Sequence, residues 1–264
     1  MPDMLIKVLL KTCLYGIAGI ASAHLQAQDY TPPTNRYGQP DFEGIWQVLD
    51  TSSHYNIEPH GASYGIPAGT GIVTSPGDGH IPYTASGLAQ REANRANLAA
   101  DPYARCFKPG VPHMMYLPFP FQIVQSGNFL TIMSEYVHNT RFIMLNRIEH
   151  FGEGELDLWN GDSVGHFEGN ELVTDVYNFH PDTWLDRAGN HAGGANLRVN
   201  ERFTLIDADT IRYEATLTDP EDFTRPWTIT TYMYRHKEPG KRILEYECHA
   251  YADNALGAPE LPDE

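Results

Sequence analysis

The sequence predicts a mostly β protein in which about ten strands form an antiparallel, up-and-down barrel, with one short helix and long N-terminal loops. From residue 118 onward, short segments rich in β-branched and aromatic residues recur between turn residues. Residues 210–218 alternate strictly between apolar and polar side chains, which is typical of a strand with one buried face. A meander of this length normally closes on itself, because closure removes the unpaired edges.

The N-terminal part of this domain contains the first strand and the one predicted helix. Residues 41–49 form the first strand. The stretch 51–83 is rich in Gly, Pro, His and Ser, and a loop of that length inside a compact domain is either functional or poorly ordered. The helix is predicted over 86–100, where Ser86 can cap the first turn and the helix ends before Pro102.

Most of the remaining strands are predicted to form hairpins within a single barrel domain, residues 41–254. Two Gly-Asn turns, at 127–128 and 169–170, are typical of hairpins, and polar connectors at 207–209 and 238–240 join two further pairs. The predicted strands cover residues 121–126, 129–136, 139–146, 165–168, 171–179, 197–206, 210–218, 227–236 and 243–251.

The first 23 residues are predicted to be a cleavable signal peptide. Lys7 and Lys11 precede an apolar run of small residues that closes on an A-x-A sequence at 21–23, the pattern that a signal peptidase accepts. This run is too short for a membrane anchor, which needs roughly 20 apolar residues. We therefore expect a periplasmic or secreted protein with no membrane anchor after cleavage, an extended lead-in over 24–40 and a flexible C-terminal tail over 255–264.

The charge balance restricts the class of partner. The chain has 34 acidic and 18 basic residues and a formal net charge of −16. Nucleic acid and anionic membrane surfaces attract proteins with a positive field, so neither is an expected partner. The expected partner is a small-molecule ligand or substrate, and the sequence leaves the oligomeric state open.

Two cysteines, Cys106 and Cys248, would remain after signal cleavage. In an oxidising compartment, two thiols far apart in sequence can form one disulfide bond, which here would join the segment before the barrel to its last strand. Two buried free thiols are the alternative, because pairing depends on a Cα separation that the sequence does not contain.

Three carboxylates share a strand phase with apolar or aromatic side chains, which would direct them into the barrel. Glu201 shares its phase with Val199 and Phe203, whereas Asp175 and Glu135 lie on strands whose opposite phase is also apolar. Burial disfavours the charged form of a carboxylate and raises its pKa toward values useful for proton transfer. The alternative is a buried Glu–Arg or Glu–Tyr pair that only fixes the strand register.

The segment from Glu135 to Arg141 combines a carboxylate, the Tyr136 phenol, the His138 imidazole and a guanidinium within seven residues, where two strands join. These are the groups that acid/base catalysis uses. The segment is a proton-transfer site only if its acid and its base reach the same atom.

Residues 178–194 are rich in polar side chains and Gly, and we expect them to form a loop at the barrel mouth, here called the rim loop. Functional groups concentrate on such loops. In this arrangement Trp184 would cover a ligand, and Asp186 would orient His191 as a base. The alternative is a packed loop in which Trp184 plugs the barrel end.

Neither a metal site nor a cofactor is predicted. The chain has 12 histidines but no H-x-H, H-E-x-x-H or C-x-x-C spacing. No Gly-rich phosphate loop follows a strand and opens a helix, and no G-x-S-x-G elbow occurs.

The first strand carries Gly44-Ile45-Trp46, which resembles the G-x-W signature that opens the barrel of lipocalins and related calycins. In that family the Trp closes the barrel base and stacks on an Arg near the last strand. The resemblance assigns this role to Arg235 or Arg242.

The chain from about residue 41 to residue 250 also resembles a widespread group of bacterial secreted proteins with a lipocalin-like barrel. This resemblance implies a fold and candidate site positions, and no particular reaction. Asp162 departs from the pattern of the group, which has His at that position. The stretches that carry the resemblance are 105–112, 118–125, 135–141, 162–169, 184–186 with Gly189 and His191, 201–203, 219–220 and 225–227.

The leading hypothesis is an exported barrel enzyme that takes a small aromatic or otherwise apolar molecule into its interior. It would act by cofactor-independent acid/base chemistry, as an isomerase or a lyase. The candidate bases are His138 and His191, the candidate acids or orienting carboxylates are Glu135, Asp186 and Glu201, the stabiliser of negative charge is Arg141, and the candidate substrate contacts are Tyr136, Asp175, Tyr177 and Trp184.

The competing hypothesis is a periplasmic binding or carrier protein in which the same groups only orient a ligand. Separations of more than ~10 Å among His138, Arg141, His191 and Glu201 would argue against catalysis, because they exceed side-chain or single-water reach. An interior filled by side chains would instead favour a structural barrel.

Overall fold

A computed structural model describes residues 30–152 and 156–249. The predicted signal peptide, the start of the lead-in and the predicted tail lie outside the described residues. Within the described part of the lead-in, the backbone N–H of Asn35 donates to the carbonyl of Gln39 at 2.8 Å. This lead-in therefore contains a turn and is not extended throughout.

The described residues contain ten strands and one α-helix, in the predicted order except that Val73–Ser75 forms a strand within the predicted loop 51–83. The elements are β1 (Gly44–Val48), β2 (Val73–Ser75), α1 (Ala85–Ala96), β3 (Phe121–Gln125), β4 (Phe129–Ser134), β5 (Thr140–Met144), β6 (Asp162–Glu168), β7 (Glu171–Tyr177), β8 (Arg198–Asp207), β9 (Thr210–Thr218) and β10 (Trp227–Arg235).

Nine of these strands close into a barrel, which confirms the predicted fold class. The strand order is β1-β3-β4-β5-β6-β7-β8-β9-β10, and β10 pairs back onto β1. The short strand β2 lies outside the ring and pairs with the opposite end of β10. The hairpins predicted at the two Gly-Asn turns are present as β3–β4 and β6–β7.

One neighbouring pair in the ring, β5 and β6, is parallel, with Ile143 opposite Ser163 and Met144 opposite Val164. Strand direction cannot alternate all the way round a closed ring of nine strands, so an odd-membered barrel must contain a parallel pair. Parallel neighbours need a long crossover connection, which residues 145–161 provide. The up-and-down order therefore differs from the prediction at this one pair.

The predicted last strand, 243–251, is wrong in its described part, which ends at His249 and contains no strand. Because β1 already pairs with β10 and with β3, the ring has no edge to which another strand could add. The segment packs instead beside the turn after β4, where the backbone N–H of Leu244 donates to Glu135 at 2.8 Å.

A disulfide bond joins Cys106 to Cys248, with 5.5 Å between the two Cα atoms. The predicted pairing is thus confirmed, although Cys248 follows the barrel and does not lie on its last strand. The bond fixes the C-terminal segment to the loop between α1 and β3.

The barrel closes at β1 through the contact expected of the Gly-x-Trp sequence. Trp46 is buried, and the guanidinium carbon of Arg235 lies 4.2 Å from the centroid of its ring. Arg235 ends β10 and donates through Nε to the carbonyl of Ala208 at 3.0 Å. The arginine partner is therefore Arg235 and not Arg242.

Side chains fill the barrel interior. A 3₁₀ turn, His113–Tyr116, is buried along its whole length. Its Met114, Met115 and Tyr116 join the same apolar cluster as the inward-facing residues of the strands. The interior is consequently a packed core, whereas three clefts of about 690, 540 and 280 Å³ are lined by loops and strand ends.

The helix begins one residue earlier than predicted, at Ala85, and its capping residue is Thr84 instead of Ser86. Thr84 caps it by accepting a hydrogen bond from the backbone N–H of Gly87 at 3.2 Å, and Ser86 instead donates to the carbonyl of Glu221. The predicted C-terminal part of the helix is a separate 3₁₀ turn, Leu98–Ala100. This region positions Gln90 and Asn94 at the cleft of about 690 Å³.

Candidate functional site

The inward carboxylate predicted on β8 is present and is fully paired. Glu201 is completely buried and receives two hydrogen bonds from the guanidinium of Arg141, one of them 2.9 Å from Nη1 to Oε1. The hydroxyls of Tyr213 and Thr174 donate to it as well. Four donors occupy the lone-pair sites of this carboxylate, so the group resembles the register-fixing pair more than a proton-transfer site.

Arg141 also lies beside a cleft at the parallel β5–β6 pair. Its Nε donates to the hydroxyl of Ser163 at 3.0 Å. Both residues belong to the wall of the cleft of about 540 Å³ between β5, β6 and residues 147–151 and 157–161, here called the seam cleft. The cleft therefore adjoins the buried ion pair from outside the barrel.

Glu135 and His138 do not point into the barrel. The inward phase of β4 is Leu130, Ile132 and Ser134, so the inward orientation predicted for Glu135 is wrong. His138 is exposed, and its Nε2 lies 2.6 Å from the Glu247 carboxylate. The backbone at His138 has a φ of +50°, and this left-handed turn separates its side chain from that of Arg141.

Asp175 and Tyr177 occupy the outer face of β7, which corrects the predicted inward orientation of Asp175. The inward residues of this strand are Leu172, Thr174 and Val176. Asp175 is half-exposed and accepts a hydrogen bond from His150 at 3.0 Å. Tyr177 is covered by the guanidinium of Arg198, 4.2 Å from its ring centroid. Because the outer face of β7 also carries a covered aromatic residue, the alternation of residues in the sequence did not show which face of the strand points inward.

Tyr136 packs behind the disulfide bond. Its hydroxyl donates to the carbonyl of Tyr103 at 2.9 Å, and the two rings stack with 4.5 Å between their centroids. Burial raises the pKa of the Tyr136 phenol. These contacts attach the turn after β4 to the loop that carries Cys106.

Asp186 organises the rim loop but does not contact His191 in the way predicted. Its two oxygens accept hydrogen bonds from the backbone N–H groups of Ile57, Ala188 and Asn190 and from the Asn190 side chain, at 2.7 to 3.2 Å. Burial raises the pKa of this carboxyl to about 6, against the effect of these donors. The predicted Asp186–His191 pair is wrong because loop amides surround the carboxylate.

His191 pairs with Asp222, which is not among the predicted site residues. The distance from Nε2 of His191 to Oδ2 of Asp222 is 3.3 Å. Burial lowers the pKa of His191, and the Asp222 charge opposes this effect. If Nε2 donates to Asp222, the neutral imidazole has its lone pair on Nδ1. Asp222 lies in the turn after β9, where the sequence offers no sign that it meets the rim loop.

His191 and Trp184 both line the cleft of about 690 Å³, here called the mouth cleft. The cleft lies between α1, residues 100–107 and the rim loop. Trp159 also lines this cleft, stacking on His180 with 4.2 Å between ring centroids and packing against Phe107. Trp184 therefore forms a cleft wall. Apolar aromatic walls with a few polar groups are typical of ligand sites.

A second unpredicted pair, His54 and His113, lies beneath this cleft. Nδ1 of His113 is 3.2 Å from the carbonyl oxygen of Trp184, and its Nε2 is 3.2 Å from Nδ1 of His54. A carbonyl only accepts, so His113 donates through Nδ1 and accepts from His54. Burial lowers the pKa of His54 to about 3 and that of His113 well below its usual range. This neutral pair fixes the backbone of Trp184.

Fold and site together define a closed β barrel with a packed interior and an aromatic-walled cleft at its rim loop. No family model matches the chain, and no curated protein is significantly similar to it in sequence. Within residues 30–152 and 156–249, no helix is long and apolar enough to cross a membrane.

Proposed function

We propose that this protein is an exported barrel that binds a small molecule with a flat, largely apolar ring in the mouth cleft. The observation that carries the proposal is the combination of Trp184 and the Trp159–His180 stack with polar groups on the same cleft. Its volume of about 690 Å³ lies within the roughly 300–1,000 Å³ of sites for small organic ligands. Because side chains fill the barrel interior, the interior ligand site of the leading hypothesis is wrong, and within the barrel itself the packing is that of a structural barrel. The proposed site therefore lies at the rim.

The polar groups of the cleft would orient such a ligand. His191, Gln90, Asn94, Arg105 and Asp182 all belong to its lining. A ring between aromatic walls gains dispersion and desolvation energy, while one or two hydrogen bonds fix its direction. We therefore expect a ligand that combines a ring with a hydroxyl or carbonyl group.

We also propose that the protein acts in the periplasm or outside the cell. The N-terminal sequence has the pattern of a cleavable signal, and the disulfide bond between Cys106 and Cys248 suits an oxidising compartment.

A second candidate function, catalysis, is favoured by the His191–Asp222 pair. A neutral imidazole held through Nε2 would use Nδ1 to take a proton from the ligand. Return of that proton to another atom would isomerise the ligand, and departure of a leaving group would make the reaction that of a lyase. Of the residues first considered for this chemistry, His191 is the one that lines the mouth cleft, whereas Arg141, Glu201 and His138 have other partners.

Native mass spectrometry of the mature protein with pooled metabolites would test binding. Trp184→Ala should reduce ligand retention at least tenfold, and the matched control Tyr64→Ala, at a fully exposed aromatic residue, should not. Equal retention by the wild type and Trp184→Ala would overturn the mouth cleft as the site.

Incubation of the retained ligand with the protein separates the two functions. Product that forms with the wild type and is lost in both His191→Ala and Asp222→Asn supports catalysis. A ligand that the wild type leaves unchanged over hours supports the carrier.

A further inference from the structure

We propose that the ligand is an elongated, uncharged amphiphile whose polar ring lies in the mouth cleft and whose apolar end continues past Trp159 into the seam cleft. This inference rests on the proposed binding function and names the chemical class of the ligand.

The clefts adjoin one another at Trp159. This residue lines the mouth cleft, the seam cleft and the smaller cleft of about 280 Å³ beside the disulfide bond. Phe107 borders the first and third clefts, and Lys108 borders the second and third. The summed volume of the three clefts exceeds roughly 1,000 Å³, the upper end of the range for sites that hold a single compact ligand. The space therefore suits a molecule that extends along a groove.

The seam cleft supplies an apolar surface for one end of that molecule. Phe142 and Phe151, which line it, are 56% and 61% exposed, and Leu158 beside them is 37% exposed. Large apolar side chains that cluster at the surface usually mark an interaction site, because each gains free energy when covered. The mouth cleft, by contrast, presents amide, imidazole and guanidinium groups to the other end.

The charges of the seam cleft favour an uncharged occupant. Arg147 pairs with Asp162, and Arg141 pairs with the buried Glu201. Its other two charged residues, Lys108 and Asp157, have opposite signs. The whole chain carries a net charge of −16, which repels anionic amphiphiles such as fatty acids. An alcohol, phenol or ester head group meets no such repulsion.

The test measures the affinity of the mature protein for a homologous series of 4-n-alkylphenols by tryptophan fluorescence and calorimetry. Each added methylene group should tighten binding about three- to fourfold, as long as the alkyl chain of the ligand lies in the seam cleft. A Phe142→Ser/Phe151→Ser variant should lose most of this dependence on chain length and keep its affinity for the shortest member. Leu49→Ser, which removes a side chain that is 66% exposed elsewhere, is the matched control and should behave as the wild type.

The outcomes distinguish this inference from the proposed function. Binding that depends on Trp184 but not on the length of the alkyl chain would overturn the proposed amphiphile and leave the binding function in place. An unchanged dependence on alkyl-chain length in the double variant would have the same consequence. Binding that Trp184→Ala does not weaken would contradict both. 4-n-Octylbenzoate should bind at least tenfold more weakly than 4-n-octylphenol, and tighter binding of the benzoate would overturn the assignment of an uncharged ligand.

Discussion

At the scale of single residues, burial decides which of the ionisable groups are structural. Glu201 and Arg141 satisfy each other inside the barrel, whereas His191 and Asp222 meet at the wall of a cleft. The same residue types thus have different roles because one pair is enclosed by donors and the other adjoins open space.

Replacement of Glu201 by Gln should destabilise the barrel by about 3–5 kcal/mol, because Arg141 would remain buried without a counter-charge. Urea unfolding followed by circular dichroism would measure the free energy of unfolding. Glu214→Gln, on the neighbouring strand and paired near the surface with Arg212, is the control and should change stability by less than about 1 kcal/mol. Equal effects of the two substitutions would show that the buried pair does not stabilise the fold.

Asp101 should make stability depend on pH. Asp101 is 3% exposed, and burial raises the pKa of its carboxyl to about 6, against the opposing effect of the hydrogen bond from the N–H of Tyr103. Since the unfolded carboxyl titrates near its ordinary pKa of about 3.9, the folded protein holds this proton more tightly. The contribution of Asp101 to stability is therefore greatest below about pH 4, falls between about pH 4 and 6 by up to about 3 kcal/mol, and is constant above that range.

Asp101→Asn removes this titration and keeps an oxygen that accepts from Tyr103. The stability of this variant relative to the wild type should therefore rise between pH 4 and 6, as measured by urea unfolding at each pH. Parallel pH profiles for the two proteins would contradict the proposed titration.

At the scale of elements, the turn residues made the hairpins predictable. The pairing of strands that are distant in sequence could not be predicted. The turns at 127–128 and 169–170 specify β3–β4 and β6–β7 through local backbone preferences. The parallel pair β5–β6 has no such local signal, because it follows from the number of strands that close the ring. The strand predicted over 243–251 is absent from residues 243–249 because ring closure has already paired both edges of the sheet.

Gly44→Ala should weaken the closure of β1 by about 1–3 kcal/mol, measured as the free energy of unfolding. Gly44 has a φ of +147°, which side chains other than that of Gly rarely permit, and an added Cβ would meet the guanidinium of Arg235. Gly77→Ala is the control, since nothing lies within 4 Å of a Cβ there. A loss in Gly44→Ala no larger than in the control would exclude this strain.

In the whole molecule, the disulfide bond connects the C-terminal segment to the loop before β3, across a sequence separation of 142 residues. This loop encloses β3 to β10, so the bond restricts the unfolded chain strongly.

The double variant Cys106→Ser/Cys248→Ser should lose about 2–5 kcal/mol of stability, and the denaturant midpoint should fall accordingly. Reduction with dithiothreitol should lower the midpoint of the wild type toward that of the variant. The variant itself should not respond to dithiothreitol. An equal response of both proteins would mean that reduction acts somewhere other than this bond.

The barrel, its hairpins, the inward orientation of Glu201 and the two cysteines available for pairing could be predicted, because each depends on local alternation, turn residues or composition. Tertiary structure alone decided that Glu201 meets Arg141, that Asp222 replaces Asp186 as the partner of His191, and that side chains fill the interior. These outcomes depend on which strands become neighbours and on how a buried turn, His113–Tyr116, enters the core. No local pattern records such contacts, since they join residues that the chain brings together only when the ring closes.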